Sequence, residues 1–141
     1  MAENFKAQVD AIILKTEKRM LALQRESIQR TIDIAQTPVA KGGRMRVDTG
    51  FLRASGQASL NGAPQGPTRP DPNAKPGSYD YSDTSVIASL SKMQLGAIFF
   101  FGWTANYAKY REAYDGFLEA ALQRWQQTVN EVTAEIKSRI K

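Results

Sequence analysis

Three groups of side chains have types and spacings that could do chemistry. Glu112, Asp115 and Glu119 lie close together, and the first two can share one face of a helix. Paired carboxylates on one face hold a metal ion or serve as an acid and a base. With Lys109 and Arg111 beside them, ordinary surface ion pairing is the stronger reading. Lys41, Arg44, Arg46 and Arg53 fall within 13 residues, opposed only by Asp48. Such a patch meets phosphates or the acidic ring of a partner protein, or is simply a solvated loop. The Gly42-Gly43 pair inside it lacks the Gly-Lys-Ser/Thr element of a phosphate-cradling loop. Finally, Phe99, Phe100, Phe101, Trp103, Tyr107, Tyr110, Tyr114 and Phe117 crowd into 19 residues. They either stack on single-stranded nucleic acid or build core and subunit contacts. The second use is favoured, because the segment joins an apolar strand to an amphipathic helix.

The chemistry left open is narrow. The chain contains no cysteine and no histidine. Disulfides, thiolate nucleophiles, the Ser-His-Asp triad and His- or Cys-ligated metals are all excluded. The expectation is a protein that is not an enzyme and carries no cofactor or metal. The 19 Lys and Arg against 14 Asp and Glu give a net charge of +5, which permits contact with nucleic acid without demanding it. The longest apolar run, residues 95–103, is broken by two glycines and is far short of the about 20 residues a membrane-spanning helix needs. No membrane partner is expected, and the chain reads as a soluble protein made in a reducing cytoplasm.

The elements that must position these residues follow from pattern. With 141 residues, 42% hydrophobic and 23% charged, the chain suits one domain over residues 1–141. Residues 2–35 lack proline and glycine, and Phe5, Val9, Ile12, Ile13, Met20, Leu23, Ile28, Ile32 and Ala35 recur mostly at steps of three, four or seven. This predicts a helix roughly 50 Å long, stopped at Thr37-Pro38. A helix that long bends or packs against something outside its own subunit. Residues 51–60 read as a short helical turn, capped by Asp48 or Thr49, that runs into a strand. Residues 61–83 hold five of the six prolines and three glycines, which forbids a helix or central strand. An arm of this length is expected to be mobile alone and ordered by a partner. At its end, Tyr79 and Tyr81 either dock a partner or anchor the arm on the subunit's own surface. Residues 85–90 and 95–101 read as a β-hairpin about a turn at 91–94, with Phe99-Phe100-Phe101 covered on both faces. From Phe117 to Ile140 one apolar stripe predicts a single long helix, capped by Asp115 and closed by Lys137, Arg139 and Lys141. The fold class is α+β: a long N-terminal helix, a small antiparallel sheet with a long Pro/Gly-rich inserted loop, and a long C-terminal helix.

Three stretches carry a family resemblance in order along nearly the whole chain. They are Val47-Asp48-Thr49-Gly50 with Leu52-Arg53 and Ser55, then Tyr107-Ala108 with Glu112, then Phe117-Leu118 with Ala121. Together they resemble the tail-completion, or neck, proteins of long-tailed bacteriophages, and are similar to the lambda minor tail protein Z group. The chain departs from that pattern at residues 111–116, where the family has a Glu-Phe-Gly-Thr-like turn and a proline.

The resemblance implies a structural virion protein, assembled in the bacterial host cytoplasm, that forms a ring at the head–tail interface. Its implied partners are copies of itself, the head-side connector or stopper, the tail terminator or tail tube, and genomic DNA passing without sequence specificity. The long helix, the proline-rich arm and the aromatics supply the expected subunit and partner contacts: Phe5, Ile12, Met20, Pro70, Pro72, Tyr79, Tyr81, Trp103 and Tyr107. Lys41, Arg44, Arg46 and Arg53 are expected to face DNA or an acidic ring. The alternatives are a tail terminator that caps tube growth, or, in another class, a basic nucleic-acid-binding module.

Overall fold

The computed structural model describes residues 2–140, and their side chains from residue 4 onward. Lys141, expected to close the last helix, lies outside the described residues. The elements are α1 (Ala2–Gln36), a 3-10 turn (Val39–Lys41), α2 (Phe51–Ala54), β1 (Gly56–Ser59), α3 (Thr84–Lys92), β2 (Phe100–Trp103), α4 (Ala108–Asp115), α5 (Phe117–Gln123) and α6 (Trp125–Arg139). The α+β class holds, with helices outweighing a two-stranded antiparallel sheet.

The α1 helix has 35 residues and is the spine of the molecule. The α6 helix runs antiparallel along its C-terminal half. Arg19 Nε donates to the Ile140 carbonyl at 2.8 Å, and Arg139 pairs with Glu26 and Arg30 with Glu135 further along. Thr128, Val132 and Ile136 are the buried face of α6, spaced four residues apart as one helix face requires. Because α6 ends level with Arg19, the first half of α1, about 25 Å at 1.5 Å per residue, projects beyond the body. Every residue from 4 to 18 is exposed.

Two apolar clusters meet at the sheet. Ile32, Val86, Leu90 and Met93 form one, packed with Phe101; Met45, Phe51, Leu52, Ala105 and Phe117 form the other, packed with Trp103. Phe101 and Trp103 on β2 link them, with ring centroids 5.2 Å apart and edge to face.

Three expectations are corrected here. Residues 85–90 are not a strand: they belong to α3, where Val86 and Leu90 bury at helical spacing, Met93 buries just past the helix end, and Ile87 faces out. Burial of that stripe against Ile32 outweighs the strand preference of Val86-Ile87. The strand β2 therefore pairs not with its sequence neighbour but with β1, in the register Gly56↔Trp103 to Ser59↔Phe100. The side chains of β2 are partly exposed rather than fully covered. The expected helix from Phe117 to Ile140 is two helices, not one, and a further helix, α4, precedes it. Gly116, with φ 65°, separates α4 from α5, and α5 gives way to α6 at Arg124. Asp115 does not cap α5: it ends α4, in an ion pair with Arg111 at 2.8 Å. Of the expected stripe, Leu122 and Trp125 are left on the surface.

Candidate functional site

The basic loop is built on a buried anchor. The Met45 side chain is fully buried, and the Val39 N–H donates to its carbonyl at 3.0 Å, while the N–H groups of Lys41 and Gly43 donate to the Pro38 carbonyl. Pinned this way, the loop turns Lys41, Arg44 and Arg46 to solvent. Arg53 does not join them. Its Nε donates to the Gln36 carbonyl at 2.7 Å, and its guanidinium lies 5.1 Å from the centre of the Tyr81 ring. The expected four-residue patch is thus three residues, and Arg53 is a clamp between α1 and α2.

Beside the loop lies a cleft of about 640 Å³, lined in part by Arg46, Asp48, Thr49, Pro70, Tyr107 and Arg111. Arg111 is neutralised by its two-pronged bond to Asp115. Arg46 and Asp48 are in no ion pair among the described residues.

The carboxylates are structural. Glu112 accepts the N–H of Leu118 at 2.8 Å and of Glu119 at 2.9 Å, and so caps the start of α5 from the preceding helix. Asp115 is held by Arg111.

The proline-rich segment has no regular structure but lies on the body. The N–H of Gly77 donates to the Asp48 carbonyl at 2.8 Å and that of Tyr79 to the Thr49 carbonyl at 2.9 Å. Thr104 Oγ1 donates to the Pro67 carbonyl at 2.6 Å, and the Asn106 N–H to that of Thr68 at 2.8 Å. Tyr79 packs edge to face on Phe51 at 5.2 Å, and its hydroxyl accepts the Asp71 N–H. Tyr79 and Tyr81 are therefore anchors onto the chain's own surface, not free docking side chains. Thr49, rather than Asp48, serves the α2 turn, its hydroxyl accepting the Phe51 N–H at 3.2 Å.

The remaining aromatics divide. Trp103, Tyr107 and Phe117 turn inward, Trp103 and Phe117 meeting at 4.9 Å, whereas Tyr110 and Tyr114 are exposed. Pro70 is partly buried and Pro72 exposed. Phe5, Ile12 and Met20, also expected contact residues, are exposed at 70%, 64% and 51%.

Two features had no signal in the sequence. One is Gln36, a polar residue at a helix end that is almost completely buried. The other is an apolar groove of about 690 Å³ between α1 and the α5–α6 junction, lined by Met20, Leu23, Phe99, Leu122, Trp125 and Val129 among others. Comparison with family models, curated proteins and solved structures gives no match.

Burial raises the pKa of the Tyr107 and Tyr81 phenols above the ordinary 10.0, against weaker opposing hydrogen bonds from Leu52 and Gln36 respectively. A raised folded-state value means stability that is complete below the unfolded pKa and lost as pH rises through the folded one. Thermal midpoints are expected to fall as the pH climbs past about 10. The Tyr81→Phe/Tyr107→Phe double variant should lose less over the same range; an identical alkaline decline would remove these phenols as its cause.

Proposed function

We propose that the chain is a structural adaptor of the neck of a long-tailed bacteriophage, forming a ring that completes the tail and joins it to the DNA-filled head. The observation that carries this reading is the projecting half of α1. A helix with a row of aliphatic and aromatic residues standing some 25 Å outside its own domain is a surface waiting for a protein partner. The exposed trio Lys41, Arg44 and Arg46 supports it, as a loop suited to the edge of a channel that DNA crosses. The inward turn of Trp103, Tyr107 and Phe117 weighs against a nucleic-acid-binding module, because it leaves only Tyr110 and Tyr114 of the eight clustered aromatics exposed for stacking. The head-side connector or stopper, the tail terminator or tube, and the passing genome are the proposed partners.

Microscopy of a lysate from a phage lacking this gene tests the proposal. Full heads beside unjoined tails of normal length are the expected result. Overlong tails would assign the chain to the terminator instead, and intact infectious particles would overturn the neck reading altogether.

A further inference from the structure

The projecting half of α1 and the groove are two apolar surfaces on one chain, and each lacks a cover. At 100° per residue, Phe5, Val9, Ile12 and Ile13 fall on the same side of α1 as Met20, Leu23 and Ser27, which line the groove. The stripe on the projecting half is therefore continuous with the groove wall. None of the groove's lining residues is charged, and neither is any residue of the stripe. Charges on the projecting half, such as Lys6, Asp10 and Lys15, alternate in sign, which leaves little net field to draw in a nucleic acid or a strongly charged peptide.

We propose that residues 2–18 of one copy lie in the groove of a second copy, head to tail, with Phe5, Val9, Ile12 and Ile13 against Leu122, Trp125 and Leu95. Sizes support this occupant. The stripe from Phe5 to Ile13 is about 12 Å long, and the α1 wall of the groove from Met20 to Thr31 about 17 Å. At typical residue areas, the exposed parts of these residues present on the order of 700 Å² of mostly apolar surface between the two copies. That is the apolar share of an interface of roughly 1,200 Å², the lower edge of the standard size. A second copy covers stripe and groove with one contact, whereas any other partner must supply both a groove and a helix. Because the two surfaces differ, the contact is heterologous and repeats from copy to copy, generating a ring or an open helix. The contact stands on these surfaces alone, and only closure into a ring rests on the neck reading.

The chain's lack of cysteine makes the test clean. Full-length Ile13→Cys and Leu122→Cys variants, both changed at half-exposed positions, are mixed in equal amounts and oxidised. The mixed disulfide should exceed either homodimer by about tenfold, and the double variant should give a ladder of higher oligomers. In sedimentation, Ile13→Glu should weaken self-association by about a hundredfold while leaving the fold intact, since residue 13 is exposed on the projecting half of α1 and belongs to neither apolar cluster. Dominant Ile13→Cys homodimers would overturn the proposal in favour of two-fold pairing between projecting helices. So would cross-linking to Leu122→Cys no stronger than to Ala134→Cys, an exposed position on α6 outside the groove. Either failure leaves the microscopy result standing, and normal head–tail joining without the gene leaves the cross-link standing.

Discussion

Gly50→Ala is expected to lower the thermal midpoint by about 10 °C and to open residues 61–83 to proteolysis. Gly50 has φ 89°, in the left-handed region where a side chain costs about 1 kcal/mol or more. A Cβ built there lies 2.3 Å from the Tyr79 carbonyl oxygen. That oxygen cannot easily retreat. The Tyr79 N–H is bonded to Thr49, the Gly77 N–H to Asp48, and the Tyr79 ring is seated on Phe51. Relieving the clash means lifting the end of the proline-rich segment off the body, with loss of both hydrogen bonds and the aromatic contact. Conformational strain and lost contacts together come to about 3 kcal/mol. Gly42→Ala is the control, since Gly42 has the same φ of 89° but no atom within 4 Å of the added Cβ. It should cost only the backbone strain. Equal shifts for the two variants would show that Tyr79 does not press on Gly50.

The contrast between these two glycines also marks what the sequence could reveal. Local rules carried α1, whose end at Gln36 lies one residue from the expected stop, and the turn-to-strand reading of residues 51–60, which is α2 followed by β1. Both depend on contacts a few residues apart: period, proline and turn chemistry. The larger failures are non-local. Nothing within residues 85–101 says that β2 will pair with a strand more than 40 residues upstream, so the nearest apolar run was the natural partner to expect. Arg53 sits in a basic stretch and reads as part of its charge, yet its direction is fixed by a carbonyl 17 residues away. Tyr79 and Tyr81 follow the same logic, their anchors on Phe51 and Arg53 being reached only once the chain has folded back. The projecting helix was legible as a length too great for the domain. The groove was not, because its walls come from α1, the approach to β2, and the bend at Arg124 that the regular apolar stripe gave no reason to place.

Gln36→Ala is expected to cost about 4 kcal/mol, measured by denaturant unfolding, although a polar residue at a helix end usually tolerates replacement. Gln36 is 2% exposed and joins three elements. Its Nε2 donates to the Arg53 carbonyl at 2.9 Å, its Oε1 accepts the Trp103 Nε1 proton at 2.9 Å, and its backbone carbonyl accepts from Arg53 Nε. The approach is so close that a Cβ on Gly56 would stand 2.5 Å from Nε2. Truncation strands a part-buried indole N–H and a carbonyl, each costing about 1–3 kcal/mol, and leaves a void beside them. A Trp103→Phe change in both backgrounds separates these contributions. If the indole bond matters, the phenylalanine costs clearly less in the Gln36→Ala background than in the wild type, because its partner is already gone. Additive costs would mean that Gln36 acts through Arg53 alone. Gln36→Glu gives an independent check with a definite sign. A carboxylate can accept from Trp103 but meets the Arg53 carbonyl with like polarity, so burial there favours the protonated acid. The folded-state pKa of that carboxyl is then raised, and the variant regains stability relative to wild type as pH falls below neutral. A stability deficit unchanged by acid would place the Arg53 carbonyl out of reach of residue 36 and undo the three-way joint.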